Sequence, residues 1–267
     1  MERGGHGVSG TVSRYRPTHL QQRPTGSETG AGTTSQTQCR PNSPDSAKKG
    51  FRWKRTRHSQ QRQQDPEQKL LKQADLATLE LAAQEGHIDL KYLDEAGFCL
   101  FSPVSYSYSR INQQKRLEQL PTRGNRISIL GLWQPEQQFD YALAQGGFDG
   151  KSYIKVMDWI AQKAALTLEQ TGRFTVVVQD NGSIHKRELV RQQWQRWQDQ
   201  GLFLFFLPPY CAQMNRIEDQ WHQLKAHEIV GQMFEDEYDL AMAVIKGMEA
   251  RSEAAGYSLE RFKFNST

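Results

Sequence analysis

The sequence predicts a mixed α/β fold, in which one sheet has an antiparallel half and a parallel half and carries helices on both faces. Upstream, three segments of strand character follow one another without an intervening helix, which indicates an antiparallel meander. Downstream, the apolar runs FTVVVQ (Phe174–Gln179) and LFLFFL (Leu202–Leu207) flank a helical segment. Continuous apolar strands joined by a helix are typical of parallel pairing with a right-handed crossover.

Residues 1–50 are rich in Gly, Ser, Thr, Gln and Pro and contain few large aliphatic side chains. Such a segment cannot bury enough apolar surface to offset its ordering entropy, so it is predicted to be disordered or non-native. Residues 51–86 are predicted as a basic linker followed by a helix. The linker combines Phe51 and Trp53 with basic side chains, which suits contact with phosphates. A solvated linker without a partner is the alternative.

The helix within residues 51–86 is punctuated by Pro66 near its start and Gly86 at its end, which are favoured positions for these residues. Six apolar side chains recur at helical spacing, and the face that they form is expected to pack on the following domain. These residues are Leu70, Leu71, Ala74, Ala77, Leu81 and Ala82.

The main domain is predicted to cover residues 87–255, followed by a tail at 256–267. Asp149 and Asn215 are the candidate N-caps of two of its helices. The meander strands are expected at 88–102, 127–133 and 139–147, and the helices at 149–168, 185–200, 215–230 and 236–251.

Charge is distributed unevenly along the chain, although the formal net charge is only +4. Residues 1–72 hold 14 Lys and Arg against 5 Asp and Glu, whereas the rest holds 20 against 25. A basic front on a mildly acidic body suggests an arm that binds a polyanion, and a solvated tail is the alternative. The sequence has no apolar run of membrane-spanning length, no signal-peptide pattern and no CxxC pair. We therefore expect a soluble cytoplasmic protein without zinc knuckles.

Three carboxylates stand where chemistry is expected, and each also has an ordinary explanation. Asp180 directly follows a buried strand, where ligand-binding groups collect in open α/β sheets, but Asp-Asn-Gly is also a good turn. Glu218 lies beside the buried stripe of a helix, but it also fits a capping box with Asn215. Asp94 and Glu95 interrupt an apolar strand, so one of them is expected to point inward unless both reach solvent at the strand end.

Together, Asp94, Asp180 and Glu218 form an oxygen-only ligand set, which suits Mg²⁺ or Mn²⁺. Two such ions about 4 Å apart can activate a nucleophile and stabilise the leaving oxygen in phosphodiester displacement. The residues therefore predict a site that uses two divalent cations to cut or join nucleic acid.

Three segments carry a resemblance to a known family. YLDEAGF, VVVQDNGSIHK and LPPYCAQMNRIEDQWHQLK resemble the three catalytic boxes of the mariner-superfamily DDE transposases (DDE superfamily endonucleases), in their bacterial insertion-sequence branch. Asp94, Asp180 and Glu218 match that family's three metal-binding acids, and the interval of 38 residues between the last two is close to the usual one. WKRTRHS resembles the segment that joins the family's helix-turn-helix region to its catalytic domain. The resemblance covers residues 51–225 and implies a ribonuclease-H-like catalytic domain.

The resemblance implies a transposase that catalyses metal-dependent DNA strand cleavage and strand transfer. Asp94 and Asp180 would flank the metals and Glu218 would hold the second ion, with water and then a DNA 3′ hydroxyl as nucleophiles. His185 is expected to cap or position this site rather than to ligate metal. The auxiliary positions that the resemblance implies are Glu95, Asn181 and His185.

The partners that the resemblance implies are transposon ends and target DNA. It also suggests a homodimer on DNA and a bacterial cytoplasmic location, associated with the nucleoid. Candidate phosphate contacts lie in the basic linker and in the polar stretch after the first strand, and a solvated basic hairpin explains the second group equally well. These candidates are Arg52, Lys54, Arg55, Arg57, Arg110, Lys115, Arg116, Arg123 and Arg126.

The chain departs from the family pattern in two places. Residues 1–50 show no helix-turn-helix, and Arg216, where the third box usually has Pro, could contact DNA or pair with Glu218. Two rival functions follow: a nuclease of the same fold that does not transpose, and a truncated, catalytically silent remnant that at most binds DNA. The three intact acids favour an enzyme, whereas the missing DNA-reading region favours the remnant.

Overall fold

The computed structural model describes residues 61–100, 126–232 and 234–264, which belong to one compact unit within His58–Thr267. The predictions for the N-terminal segment 1–50, for most of the basic linker and for the polar stretch at 101–125 lie outside the described residues. Within the described ranges, no helix is both long and apolar enough to span a bilayer.

Six strands form one sheet in the order β5-β4-β1-β2-β3-β6. Antiparallel pairing joins β1 to β2 and β2 to β3, whereas β4 pairs parallel with both β1 and β5. The predicted sheet, with an antiparallel half and a parallel half, is therefore confirmed. The strands are β1 (Ile88–Cys99), β2 (Arg126–Gln134), β3 (Gln138–Gln145), β4 (Phe174–Gln179), β5 (Leu202–Phe206) and β6 (Ser258–Phe262).

The sixth strand lies in the segment that the sequence predicts as a tail, residues 256–267. It pairs parallel with β3, so the domain extends beyond residue 255. Lys163 reinforces the pairing, because its Nζ binds both the buried Asp140 of β3 (2.7 Å) and Glu260 of β6 (2.9 Å). A short strand at the sheet edge depends on its neighbour for stability, and the local sequence does not reveal that neighbour.

Helices cover both faces of the sheet, as the sequence predicts. Side chains alternate along β1, so that Tyr92 and Ala96 pack with α1, α5 and α6, whereas Leu93 packs with α2, α3 and α4 on the other face. The helices are α1 (Pro66–Gln84), α2 (Gly150–Thr171), α3 (Glu188–Arg191), α4 (Trp194–Asp199), α5 (Glu218–Leu224) and α6 (Glu237–Ala255).

The helix α2 begins as predicted. The Asp149 side chain accepts the Ser152 amide N–H (2.7 Å), and the Ser152 hydroxyl accepts the Asp149 amide N–H (2.8 Å), which completes a capping box. The helix ends at Gly172, whose φ of 72° suits a left-handed C-cap.

The apolar face predicted for α1 is wrong. Leu70, Leu71 and Leu81 are 70%, 62% and 54% exposed, and the helix instead packs through Leu76 and its neighbours Leu79 and Ala83. The spacing of 76, 79 and 83 is also helical, so the sequence contains two apolar faces. Only the position of the sheet decides which one is buried.

The predicted helix at 185–200 is also wrong in detail. A 3-10 turn at Ser183–Lys186 precedes two short helices, α3 and α4. Arg187 lies between the turn and α3 with a non-helical backbone (φ −58°, ψ 142°), which separates the turn from the helix that follows. Val190 and Trp197 bury their side chains from the two short helices in the same core.

Candidate active site

Asp94 lies in the central strand β1, on the sheet face that α5 covers. Its backbone is opposite Gly131 of β2, and its Oδ2 accepts a hydrogen bond from Trp221 Nε1 of α5 (3.1 Å). A Cβ at position 131 would lie 2.7 Å from Trp221 Cζ2, which is closer than atoms in contact can approach. Glycine at this position therefore allows the indole to reach Asp94.

Glu218 lies at the first position of α5, so the predicted helix start at Asn215 and the predicted capping box are wrong. The Asn215 side chain is instead buried, and its Nδ2 donates to the carbonyl oxygen of Leu93 in β1 (2.9 Å). The N-cap of α5 is Ile217, whose hydrocarbon side chain cannot accept a hydrogen bond. The side chain that the capping rule assigned to the start of α5 thus contacts a distant strand instead.

Asp180 directly follows β4, and the turn after it holds its side chain. Its Oδ1 lies 3.1 Å from His185 Nε2 and accepts the Gly182 amide N–H (3.0 Å). The turn that Asp-Asn-Gly predicts is thus present beside the predicted site. The buried His185 ring packs edge-on against Tyr153, whose hydroxyl donates to Gln179 Oε1 (2.7 Å). These contacts place His185 where it can orient Asp180.

The three carboxylates act on one another electrostatically. Burial raises the pKa of Asp94 to about 7, and the negative charges of Glu218 and Asp180 add to the rise. Burial also raises the pKa of Glu218, with a contribution from Asp180 and an opposing one from Lys225. The hydrogen bond from His185 lowers the pKa of Asp180 despite its partial burial. Acids from β1, from the end of β4 and from the start of α5 therefore lie within electrostatic reach of each other.

The acids do not form a closed metal cage. Across residues 61–100, 126–232 and 234–264, no three His, Cys, Asp or Glu side chains converge tightly enough to enclose an ion. Four polar atoms around the acids are buried without a hydrogen-bond partner among the described residues. These atoms are Gln179 Nε2, Asn181 Oδ1, His185 Nδ1 and Asn215 Oδ1. The oxygen donors of the three acids, with their mutual repulsion, fit a hard divalent cation that keeps some of its waters.

Glu95 is not brought to the site. As the next residue in a strand after Asp94, it points to the opposite face of the sheet. Its Oε1 accepts from Arg126 Nη2 (2.8 Å), and Arg126 Nε also donates to Ser128 Oγ (3.0 Å). Arg126, a candidate phosphate contact, is therefore engaged in an ion pair on the face away from Asp94.

Arg216 contacts neither Glu218 nor the other acids. Its guanidinium lies 5.8 Å from the ring centroid of Tyr92 and 5.9 Å from that of Trp133, and its Nη1 is 3.9 Å from Glu80 Oε1. Arg216 thus packs on two aromatic rings and beside Glu80. The remaining candidate phosphate contacts, Arg52, Lys54, Arg55, Arg57, Arg110, Lys115, Arg116 and Arg123, lie outside the described residues.

Comparison with protein families adds a second line of observation to this geometry. Residues 89–241 match the family model of the DDE superfamily endonucleases, and the matched region contains Asp94, Asp180 and Glu218. The chain belongs to the DDE superfamily endonuclease family. A search of curated protein sequences found no match to this family member.

Solved structures similar to this DDE endonuclease domain include complexes of the Mos1 mariner transposase. The paired-end complex with Mg has a TM-score of 0.58 at 15% identity, covering 78% of this chain and 62% of that chain. The paired-end complex with Mn has a TM-score of 0.55 at 13% identity, covering 80% and 67%. The pre-cleavage transpososome has a TM-score of 0.54 at 14% identity, also covering 80% and 67%. The predicted ribonuclease-H-like fold is confirmed, and the chain spans about two thirds of those chains.

Sequence reasoning missed three contributors to this candidate site: Gly131, the bond from Asn215 to β1, and the indole N–H of Trp221. Trp221 falls on the apolar stripe of its helix, and that position predicts only core packing. Gly131 interrupts a β-rich run, which is a recognised signal for close approach of another group. This signal could have identified Gly131, but not the indole that approaches it.

Proposed function

We propose that this chain is a transposase domain of the bacterial insertion-sequence branch, which cleaves DNA strands and transfers them with Mg²⁺ or Mn²⁺. The observation that carries the proposal is that Asp94, Asp180 and Glu218 lie within electrostatic reach of one another in a DDE-family domain. The raised pKa of Asp94 supports cation binding, because a cation among the acids would relieve the repulsion that contributes to it.

In this proposal, Asp94 and Asp180 would bind the cations, and Glu218 would hold the second one. When bound, such ions would activate the nucleophile, first water and then a 3′ hydroxyl, and stabilise the leaving oxygen. His185 keeps the Asp180 carboxylate in one orientation through its 3.1 Å contact with Oδ1. Trp221 does the same for Asp94 through its bond to Oδ2. Both acids are thus preorganised before DNA arrives.

The substrate in this proposal is double-stranded DNA, and the phosphate contacts come from the basic residues of 51–64 and 101–125. Arg126 contributes less, because its guanidinium is already shared between Glu95 and Ser128. A homodimer on DNA would be the assembly in which two transposon ends are processed together. The basic linker would join the catalytic domain to a DNA-reading region.

Nicking of a supercoiled plasmid in MnCl₂ tests the catalytic part of the proposal. We expect the wild-type protein to convert the plasmid to open circles, and Asp94→Asn to reduce the rate by roughly 100-fold or more, because a metal ligand is lost. Glu95→Gln is the matched control, since it neutralises the neighbouring acid on the opposite face of the sheet. It should nick at the wild-type rate.

Equal nicking by the wild-type protein and by Asp94→Asn would refute the catalytic assignment. If Glu95→Gln lost as much nicking activity as Asp94→Asn, the conclusion that Glu95 lies on the opposite face of the sheet and takes no part in the site would be refuted. Absence of nicking in every protein, together with Mn²⁺-independent DNA binding, would favour the catalytically silent remnant.

A further inference from the structure

Two buried hydrogen bonds connect the segment around Glu218 to the strand that carries Asp94. Asn215, three residues before Glu218, donates from Nδ2 to the carbonyl oxygen of Leu93 (2.9 Å). Trp221, three residues after Glu218, donates from Nε1 to Asp94 Oδ2 (3.1 Å). Both donors are only 3% exposed. The two donors therefore lie on either side of Glu218 in the sequence. One bond ends on Asp94 itself and the other on Leu93, the residue before it.

The helix that carries Glu218 has no side-chain cap at its start, and the side-chain bonds that it receives from Arg251 end on Gln220 and Gln223, on the side of Glu218 away from Asn215. It has seven residues, its N-cap is Ile217, and its C-terminal end continues into a π-helical turn at Lys225–Ile229. A helix this short is not stable through its own backbone bonds alone. Apolar packing is not directional, so it does not by itself fix the position of the helix along β1. The two side-chain bonds do fix it, and Gly131 leaves the space that the Trp221 bond requires.

We propose that Asn215 and Trp221 are positioning residues that set the distance and register of Glu218 relative to Asp94. This inference rests on the proposed function, because it takes both acids to be metal ligands. Trp221 additionally fixes the rotation of the Asp94 carboxylate, which retains further lone pairs for another partner. Neither residue touches the substrate in this proposal, and both act through the acids that they hold.

Replacement of Trp221 by phenylalanine separates positioning from packing, since it removes the N–H donor and keeps an aromatic ring. Trp197 offers a matched control, because it is equally buried and its Nε1 donates to Asp158 Oδ1 (2.7 Å), away from the acids. Mn²⁺ affinity is measured by calorimetric titration of the full chain without DNA. Loss of an outer hydrogen bond to a ligand typically lowers metal affinity by about 10- to 100-fold.

We expect Trp221→Phe to raise the Mn²⁺ Kd by about 10-fold and Trp197→Phe to leave it unchanged, although both variants lose a buried hydrogen bond. Asn215→Ala provides a second variant, and its Kd should also rise. A wild-type Kd in both Trp221→Phe and Asn215→Ala would overturn the inference. An equal rise in Trp197→Phe would also overturn it, because the effect would then report general destabilisation.

The variant Asp94→Asn distinguishes failure of this inference from failure of the proposed function. If Asp94→Asn loses Mn²⁺ binding while Trp221→Phe and Asn215→Ala keep the wild-type Kd, the metal site stands and the positioning roles are refuted. If Asp94→Asn binds Mn²⁺ as tightly as the wild-type protein, Asp94 is not a ligand. Both the proposed metal site and the positioning roles then fail.

Discussion

The raised pKa of Asp94 predicts that this residue destabilises the folded protein at neutral pH in the absence of metal. The folded state retains its proton up to a pKa of about 7, whereas the unfolded chain releases it near the ordinary value of 3.8. The loss of folding stability caused by ionised Asp94 is therefore absent below pH 3.8, grows as the pH rises to 7, and is complete above that pH. Asp94→Asn removes the charge and leaves an amide oxygen to accept from Trp221.

The size of the effect follows from the two pKa values. The interval between 3.8 and about 7 corresponds to roughly 4 kcal/mol, at about 1.4 kcal/mol for each tenfold change in proton affinity. One kcal/mol shifts Tm by about 2–4 °C for a domain of this size. At pH 8, we expect Asp94→Asn to unfold roughly 8–16 °C above the wild-type protein, and this gap should nearly close at pH 4.

Thermal unfolding followed by circular dichroism in EDTA provides the assay, with Asp180→Asn as the matched control. The bond from His185 lowers the pKa of Asp180, so its carboxylate stabilises the fold at pH 8. Asp180→Asn should therefore unfold below the wild-type protein, and its deficit should shrink as the pH falls through the lowered pKa. A lower Tm for Asp94→Asn at pH 8, or a gap independent of pH, would refute the reasoning.

Two further predictions concern packing and a buried charge. Gly131→Ala should destabilise the domain by about 1–3 kcal/mol, because the new methyl group collides with the Trp221 ring; urea denaturation measures the loss. Lys163→Met should cost about 3 kcal/mol, because it breaks an ion pair of the carboxylate of Asp140, which is 1% exposed and keeps only Gln138 and the nearby charge of Lys91. The same denaturation experiment measures that cost.

Each of these predictions has a control within α2. A Cβ at Gly150 would lie 3.5 Å from Arg187 Cδ, an ordinary contact, so Gly150→Ala should be close to neutral. Lys155 is exposed on the same helix as Lys163, and Lys155→Met should change the stability little. If Gly131→Ala matched Gly150→Ala, or Lys163→Met matched Lys155→Met, the corresponding argument would be contradicted.

Local patterns predicted the elements whose signals need no distant partner. The six residues of FTVVVQ form β4 with the predicted bounds, since a continuous apolar run is recognisable without its surroundings. Asp149 caps α2 as predicted, because a capping box is closed within four residues. Asn215 was predicted by the same rule to cap α5 and does not, because the helix begins only at Glu218 and the Asn215 side chain is directed to the carbonyl oxygen of Leu93, far upstream.

The sequence by itself determined the first five strands, the mixed sheet and the three acids that its family resemblance selects. These features depend on residue type and spacing along the chain. Only the tertiary structure decided which face of α1 is buried, that Glu95 points away from Asp94, and that Trp221 and Asn215 bind β1. Those outcomes depend on contacts between segments more than a hundred residues apart, or on the position of a sheet face. The periodicity of a single segment contains neither kind of information.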